Sequence, residues 1–281
     1  MAQSLINVIK IFLPIIISGN VLGSVCPATD LGTCQLGAHV YYIDSIYPVA
    51  DVVRLHNAIA NTNKSIIIDV FITKHLGNRK RFLEDYSHAY GKILVFHCRT
   101  HLFGKFGDLI TALANPKILF LIHQLHVIFS NPHRNNYDIL FGILWYHDIK
   151  GIKRSYQSAY RIEMVEHFKN LPDFIQNQFD SIIDPSSHNS GDGELKLSQP
   201  DFFCEKLLEA SRDVDMDRFT FFIVSTLNDD ILNEVDFSCT LNYDKPLKSL
   251  LEALPYEGYR EAVSAILNAS RIYEDNMLRS D

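Results

Sequence analysis

Short runs of β-branched and aromatic residues alternate with amphipathic stretches from residue 38 to about residue 130, and this alternation constrains the fold more than any other feature. Ala38-His39-Val40-Tyr41-Tyr42-Ile43 has strand composition and stops at Asp44. Pro48 suits the first turn of a helix, where its missing N–H costs nothing. Val49, Val52, Val53, Leu55 and Ile59 then line one face of a helix ending near Asn61. Ser65–Ile72 is almost continuously apolar, as in a strand covered on both faces. Ile93–Phe96, Ile118–Ile122 and Phe219–Val224 read as further strands. Helices are expected over Arg79–Tyr90, over 103–113, and from Tyr156 to Gln178 with a kink or early end at Pro172. Others are expected over Cys204–Arg212, Leu247–Leu254 and Glu257–Asn276, and Asn228–Asp244 reads as acidic and turn-like. Strand–helix alternation predicts an α/β fold, a mostly parallel sheet flanked by helices with right-handed crossovers. No internal repeat is apparent.

At 281 residues and 47% apolar, the chain can bury a sizeable core in one large domain or two small ones. Residues 1–36 are expected to form an apolar segment packed on the core or on a partner. Residues 37–281 are expected to form the main domain, with a Ser-, Gly- and Asp-rich flexible insertion at 184–200. The run Ile11–Ile17, bounded by Lys10 and Ser18 and interrupted by Pro14, is far short of the roughly 20 residues of a membrane span. A cleaved secretory signal remains the alternative for this segment, with sequons at Asn63 and Asn268. The 26 basic and 33 acidic residues give a net charge of −7, which excludes a basic nucleic-acid binder by bulk charge. Cys26, Cys34, Cys98, Cys204 and Cys239 are scattered, which points to a reducing compartment.

A nucleotide-hydrolysing domain of this layout needs a glycine-rich loop with Lys-Ser/Thr after the first strand. The loop here runs Asp44-Ser45-Ile46-Tyr47-Pro48-Val49-Ala50-Asp51, without glycine or lysine and with two acids. The fourth strand ends at His123, where an acid should help hold magnesium. Ser45, Tyr47, Pro48 and His123 therefore mark a vestigial nucleotide loop, and two losses together argue against ATP hydrolysis. Gly19–Ser24, which also lacks lysine, is the alternative register. His97 and His101 on a strand would lie about 13 Å apart and share no ion. His123 and His126 read as core or strand-end histidines, and Cys98 beside His97 is a weak nucleophile candidate. Cations and aromatics adjoin where Lys150, Lys153 and Arg154 follow Trp145-Tyr146, a combination suited to single-stranded DNA. Arg79-Lys80-Arg81, with Lys74 nearby, is the other basic cluster.

Leu36–Ser45, Pro48-Val49, Leu55-His56-Asn57, Lys64–Val70, Ile118–Ile122, Asn136–Leu140 and Phe221–Thr226 together resemble the RecA-type recombinase paralogues. That resemblance, over about residues 36–226, implies a RecA-like core with degenerate nucleotide motifs, no catalysis and no cofactor. It implies a non-catalytic accessory subunit of a Shu-type complex in the nucleus. The chain would pair with a second RecA-like paralogue subunit as an obligate heterodimer, assist recombinase filament assembly, and bind single-stranded or forked DNA, with no membrane role. The family's DNA contacts follow its fifth strand. Here that region holds Asp229, Asp230, Glu234 and Asp236, and Lys245 and Lys248 come only later. The alternative is a secreted or organellar α/β enzyme with a cleaved N-terminal signal, using a cleft residue such as His97 or Asp69.

Overall fold

The computed structural model describes residues 49–131, 136–183 and 197–277, and among these residues every regular element is helical. The α/β expectation is overturned. Ser65–Ile72 lies in α2 (Lys64–Ile67) and the π-helical stretch Ile68–Lys74 that continues it. Ile93–Phe96 lies at the start of α4 (Leu94–His101), Ile118–Ile122 in α6 (Lys117–Ser130), and Phe219–Val224 in α12 (Met216–Asn228). The physical reason is that a helix buried on all sides loses its polar stripe, so its sequence shows no 3.6-residue period. Residues 219–226 of α12 are all buried. The expected first strand, the loop carrying Ser45, Tyr47 and Pro48, and the Gly19–Ser24 loop lie outside the described residues, as does most of the 184–200 insertion.

The remaining helices are α1 (Val49–Ala60), α3 (Arg79–Tyr90), α5 (Gly104–Leu113), α7 (Tyr137–Tyr146), α8 (Ile149–Tyr160), α9 (Met164–Phe168) and α10 (Asp173–Ile183). They continue with α11 (Gln199–Arg212), α13 (Leu232–Tyr243), α14 (Leu247–Leu250) and α15 (Glu257–Met277). The single helix expected over 156–178 is instead the end of α8, then α9 and the start of α10, broken at Arg161 and Pro172. The acidic stretch expected as turns contains α13.

The described helices form one five-helix unit three times, α1–α5, α6–α10 and α11–α15. The third helix of each unit ends on a left-handed residue: Gly91 at φ 58°, Arg161 at φ 60° and Asp244 at φ 53°. Only glycine takes that conformation freely, so the shared geometry at Arg161 and Asp244 is imposed by the turn into the fourth helix. Side chains start several helices: Asn63 accepts from Ile66 N, Asp148 from Lys150 N and Gly151 N, and Asp215 from Asp217 N and Arg218 N.

Within a unit, the first, third and fourth helices are tied together through polar groups in the core. In the first unit the Tyr86 hydroxyl sits 2.8 Å from His56 Nδ1 and 2.5 Å from His97 Nδ1. In the second, the Tyr156 hydroxyl sits 3.2 Å from His126 Nδ1 and 2.5 Å from His167 Nδ1. Tyr90 and Tyr160 stack on the first histidine of each set at 3.8 and 3.9 Å. Each of these four residues recurs 70 positions on: His56 and His126, Tyr86 and Tyr156, Tyr90 and Tyr160, His97 and His167. This is the internal repeat that the sequence pattern concealed. In the third unit a Cys204–Cys239 disulfide joins the first and third helices, and Ser211 Oγ donates to Leu250 O to reach the fourth.

The second and fifth helices of units one and three, α2 through its π-helical continuation Ile68–Lys74, α5, α12 and α15, pack together as a central bundle. Thr220 and Tyr259 share a buried hydroxyl hydrogen bond of 2.8 Å inside it. Unit two is held to unit three by Arg218, whose Nε donates to Asp138 Oδ2 at 2.6 Å and whose Nη2 reaches Glu209 at 3.0 Å.

The disulfide departs from the expectation of reduced cysteines. It closes a loop with a sequence separation of 35. Replacing both Cys204 and Cys239 with Ser is expected to lower stability by about 3 kcal/mol. Denaturant midpoints of the oxidised protein and the double variant check this, and the variant alone should be insensitive to dithiothreitol.

Candidate functional site

The loss of the sheet removes the basis of the recombination reading. Among the described residues there is no RecA-like core to pair with a second RecA-like subunit or a recombinase, and no strand-end loop to hold DNA. The α/β-enzyme alternative loses its scaffold for the same reason.

The helix starts define a different surface. Lys64, at the start of α2, places its ammonium 5.5 Å from the centre of the Phe106 ring in the first turn of α5. A Cβ on Gly258, in the first turn of α15, would stand 3.0 Å from Lys64 Cδ, so α15 begins against the same lysine. Lys105 of α5 ion-pairs with Asp217 of α12 at 2.7 Å. Arg218, next along α12, reaches Asp138 of α7. Tyr137, which opens α7, meets Phe174 of α10 edge to face at 5.8 Å. The second and fifth helices of all three units therefore start at one end of the molecule.

Each fifth helix begins there with an exposed aromatic. Phe103 is 78% exposed, Phe174 63% and Tyr256 53%, and Val214 stands exposed in the loop before α12. The polar groups around them are largely paired with one another, as Lys105 is with Asp217 and Arg218 with Asp138. The surface is an apolar-tipped face ringed by neutralised charges.

The sequence-predicted residues fall elsewhere. Lys150, Lys153 and Arg154 lie on α8, with Arg154 Nε donating to Lys150 O at 3.3 Å. The aromatics that precede them pack inward. Trp145 stacks on Phe141 at 5.0 Å and meets Phe202 at 5.7 Å, and the Tyr146 hydroxyl donates to Leu197 O. No joint stacking and phosphate surface results. Arg79, Lys80 and Arg81 open α3 and diverge: Arg81 pairs with Asp85, whereas Arg79 and Lys80 line a cleft. Lys245 and Lys248 are exposed in unit three, Lys245 beside Tyr243 and Glu209. Asp229 is a structural node, bonded to Lys117 and, at 2.8 Å, to Gln199 Nε2.

The histidines also change meaning. His97 and His101 share one helix face instead of lying about 13 Å apart, and their rings meet at 4.6 Å. Among the described residues, no group of three or more His, Cys, Asp or Glu is placed to hold a metal. Cys98 is buried and unpaired with another cysteine, and burial pushes its thiol up to about 12, far from a thiolate nucleophile. His123 lies on α6, not at a strand end, and burial, helped by Arg99 and His126, holds it down at about 4.

No known family profile matches the chain. Solved structures similar to it include a point mutant of annexin A8 with an intact N-terminus, with 17% identity, 80% of this chain and 72% of that chain covered, and a TM-score of 0.44. Annexin III shows 20% identity over 81% and 72% of the two chains at a TM-score of 0.43. Chicken annexin V shows 18% over 81% and 74% at 0.42.

The histidine ties set an acid limit on the fold. Burial, reinforced by His56, His101 and Lys92, holds His97 at about 4, below its ordinary 6.5. His56 and His126 are also lowered, chiefly by burial. A tyrosine hydroxyl between two Nδ1 atoms donates to one and accepts from the other, so at least one ring must stay neutral. Between pH 6.5 and about 4 the unfolded chain holds more protons than the folded one at His97. Stability therefore falls as pH drops through that window and is fully present above it. Thermal melts across pH 4 to 7 are expected to show this loss, and His97→Gln is expected to flatten it while lowering the melting temperature at pH 7.

Proposed function

We propose that this chain is a non-catalytic helical-repeat protein that docks at a membrane–water interface through the end of the molecule bearing Phe103, Phe174 and Tyr256. The observation that carries the reading is the placement of an exposed aromatic at the start of the fifth helix in each of three units, all at one end. A soluble surface seldom keeps large rings exposed in a group without something to cover them. Aromatic side chains sit well at a lipid interface, where an apolar body enters the acyl boundary and polar neighbours stay wet.

Burying one such side chain contributes about 1.5–3 kcal/mol, so three acting together give reversible, peripheral binding. No helix among the described residues is long and apolar enough to cross a membrane. Attachment by the loop tips alone fits that limit. This reading also reverses the absence of a membrane role that the RecA-type resemblance implied.

Co-sedimentation with large unilamellar vesicles of phosphatidylcholine, alone and with phosphatidylserine, tests the proposal. The wild-type chain is expected to partition onto vesicles. A Phe103→Ser, Phe174→Ser, Tyr256→Ser triple variant, folded by circular dichroism, is expected to bind at least about 10-fold more weakly. Equal partitioning of the two proteins would remove the aromatic face from consideration.

A further inference from the structure

The far end of the central bundle carries a second feature. A cleft of roughly 1360 Å³ opens where α2 passes into α3, beside the junction of α5 with α6 and the turn between α12 and α13. Of the four cations on its wall, two are matched and Lys80 is exposed to solvent. Lys117 is paired with Asp229, and Lys74 lies 3.8 Å from Asp51 and 3.7 Å from Asp69. Arg79 is different. Among the described residues its side chain makes no ion pair, and its one side-chain hydrogen bond goes to Asn228 Oδ1. Glu84, Asp230 and Glu234 line the same cleft, yet none pairs with it. Burial alone pushes the guanidinium down to about 10, which leaves it a cation at neutral pH.

Asn228 supplies the second half. Because its amide oxygen accepts from Arg79, the orientation of the amide is set, and its buried Nδ2 is left without a partner. A buried N–H donor with nothing to donate to is uncommon in a native protein. A desolvated cation and an unmatched donor thus meet on one wall. Asn78 provides no side-chain cap at the start of α3, so the positive end of that helix adds to the same field.

We infer that this cleft binds a small soluble molecule through an oxyanion group, phosphate or carboxylate, held by the Arg79 guanidinium and Asn228 Nδ2. A guanidinium offers paired donors matched to two oxygens of such a group, and the Asn228 donor accounts for a further lone pair. The ligand is soluble rather than a lipid headgroup because the cleft and the aromatic face lie at opposite ends of α2 and α12. Lys64 starts α2 and Asp217 lies in the first turn of α12, whereas Lys74 ends the π-helical continuation of α2 and Asn228 ends α12.

The test is thermal unfolding at constant ionic strength, with chloride replaced by inorganic phosphate or by acetate in a zwitterionic buffer. In wild type, about 20 mM of at least one anion is expected to raise the midpoint by about 3 °C. Arg79→Gln should abolish the rise. Asn228→Asp supplies an internal carboxylate to Arg79, so it should raise the midpoint in chloride and remove the anion response. Because this second variant is expected to fold at least as well as wild type, misfolding of Arg79→Gln leaves the proposal exposed to test. No response of wild type to either anion, or an undiminished response in Asn228→Asp, would overturn it. Phosphatidylserine vesicle binding is expected to be the same for wild type and Arg79→Gln. A loss there would overturn the assignment to a soluble ligand without bearing on the aromatic face.

Discussion

A tyrosine hydroxyl held between two histidine rings organises the first two units. A buried hydroxyl needs a partner, and here one hydroxyl fastens three helices: Tyr86 joins α3 to α1 through His56 and to α4 through His97. Tyr156 repeats the arrangement with His126 and His167. Such a network also constrains proton positions, since the two rings must present opposite faces of the donor–acceptor inventory to one oxygen. The third unit meets the same topological need by other chemistry. Cys204 and Cys239 bridge α11 and α13 covalently, and Ser211 bonds the backbone of α14. The position of the tie is retained, while its chemical means differ.

With the first, third and fourth helices locked in this way, the second and fifth are left to pack between units. Those of units one and three build the central bundle, where Thr220 and Tyr259 satisfy each other in an otherwise apolar interior. Because these helices all start at one end, the molecule acquires a polarity. Its corner end presents helix N-termini and exposed rings, and its opposite end presents the Arg79 cleft. At 1.5 Å per residue, the helical path from Asp217 to Asn228 spans roughly 16 Å. A lipid surface at one end and a dissolved ligand at the other therefore need not compete.

Much of the helical content was legible residue by residue, because amphipathic surface helices keep their period and their punctuation. Val52, Leu55 and Ile59 marked the buried face of α1, and the polar run Arg79–Tyr90 marked α3. Helices with apolar residues on every side were read as strands. Ile67, Val70, Phe71 and Ile72 are all fully buried, as are Phe222, Ile223 and Val224, and Asp69 alone between Ile66 and Ile72 is polar, too little to betray a turn of 3.6 residues. Runs of β-branched and aromatic residues have strand propensity, and tertiary burial overrode it. The spacing of these runs then mimicked a sheet wrapped by helices, which is why a RecA-type layout matched short blocks without matching the fold.

The repeat was hidden for a related reason. Core packing tolerates exchange among apolar residues of similar size, so units built on one plan need share few identities. What they share are the residues whose chemistry admits no easy exchange, namely the histidines and tyrosines 70 positions apart. Unit three breaks the series twice. It replaces the relay with a disulfide, and its corresponding helix end shifts from Tyr160 to Tyr243, 83 positions on, across a segment rich in Ser, Gly and Asp. Without the phase of the repeat, Phe103, Phe174 and Tyr256 are three unrelated apolar residues among many. With it, they become the same corner of one unit presented three times, and an exposed ring at each is a property of the surface and not of any single loop.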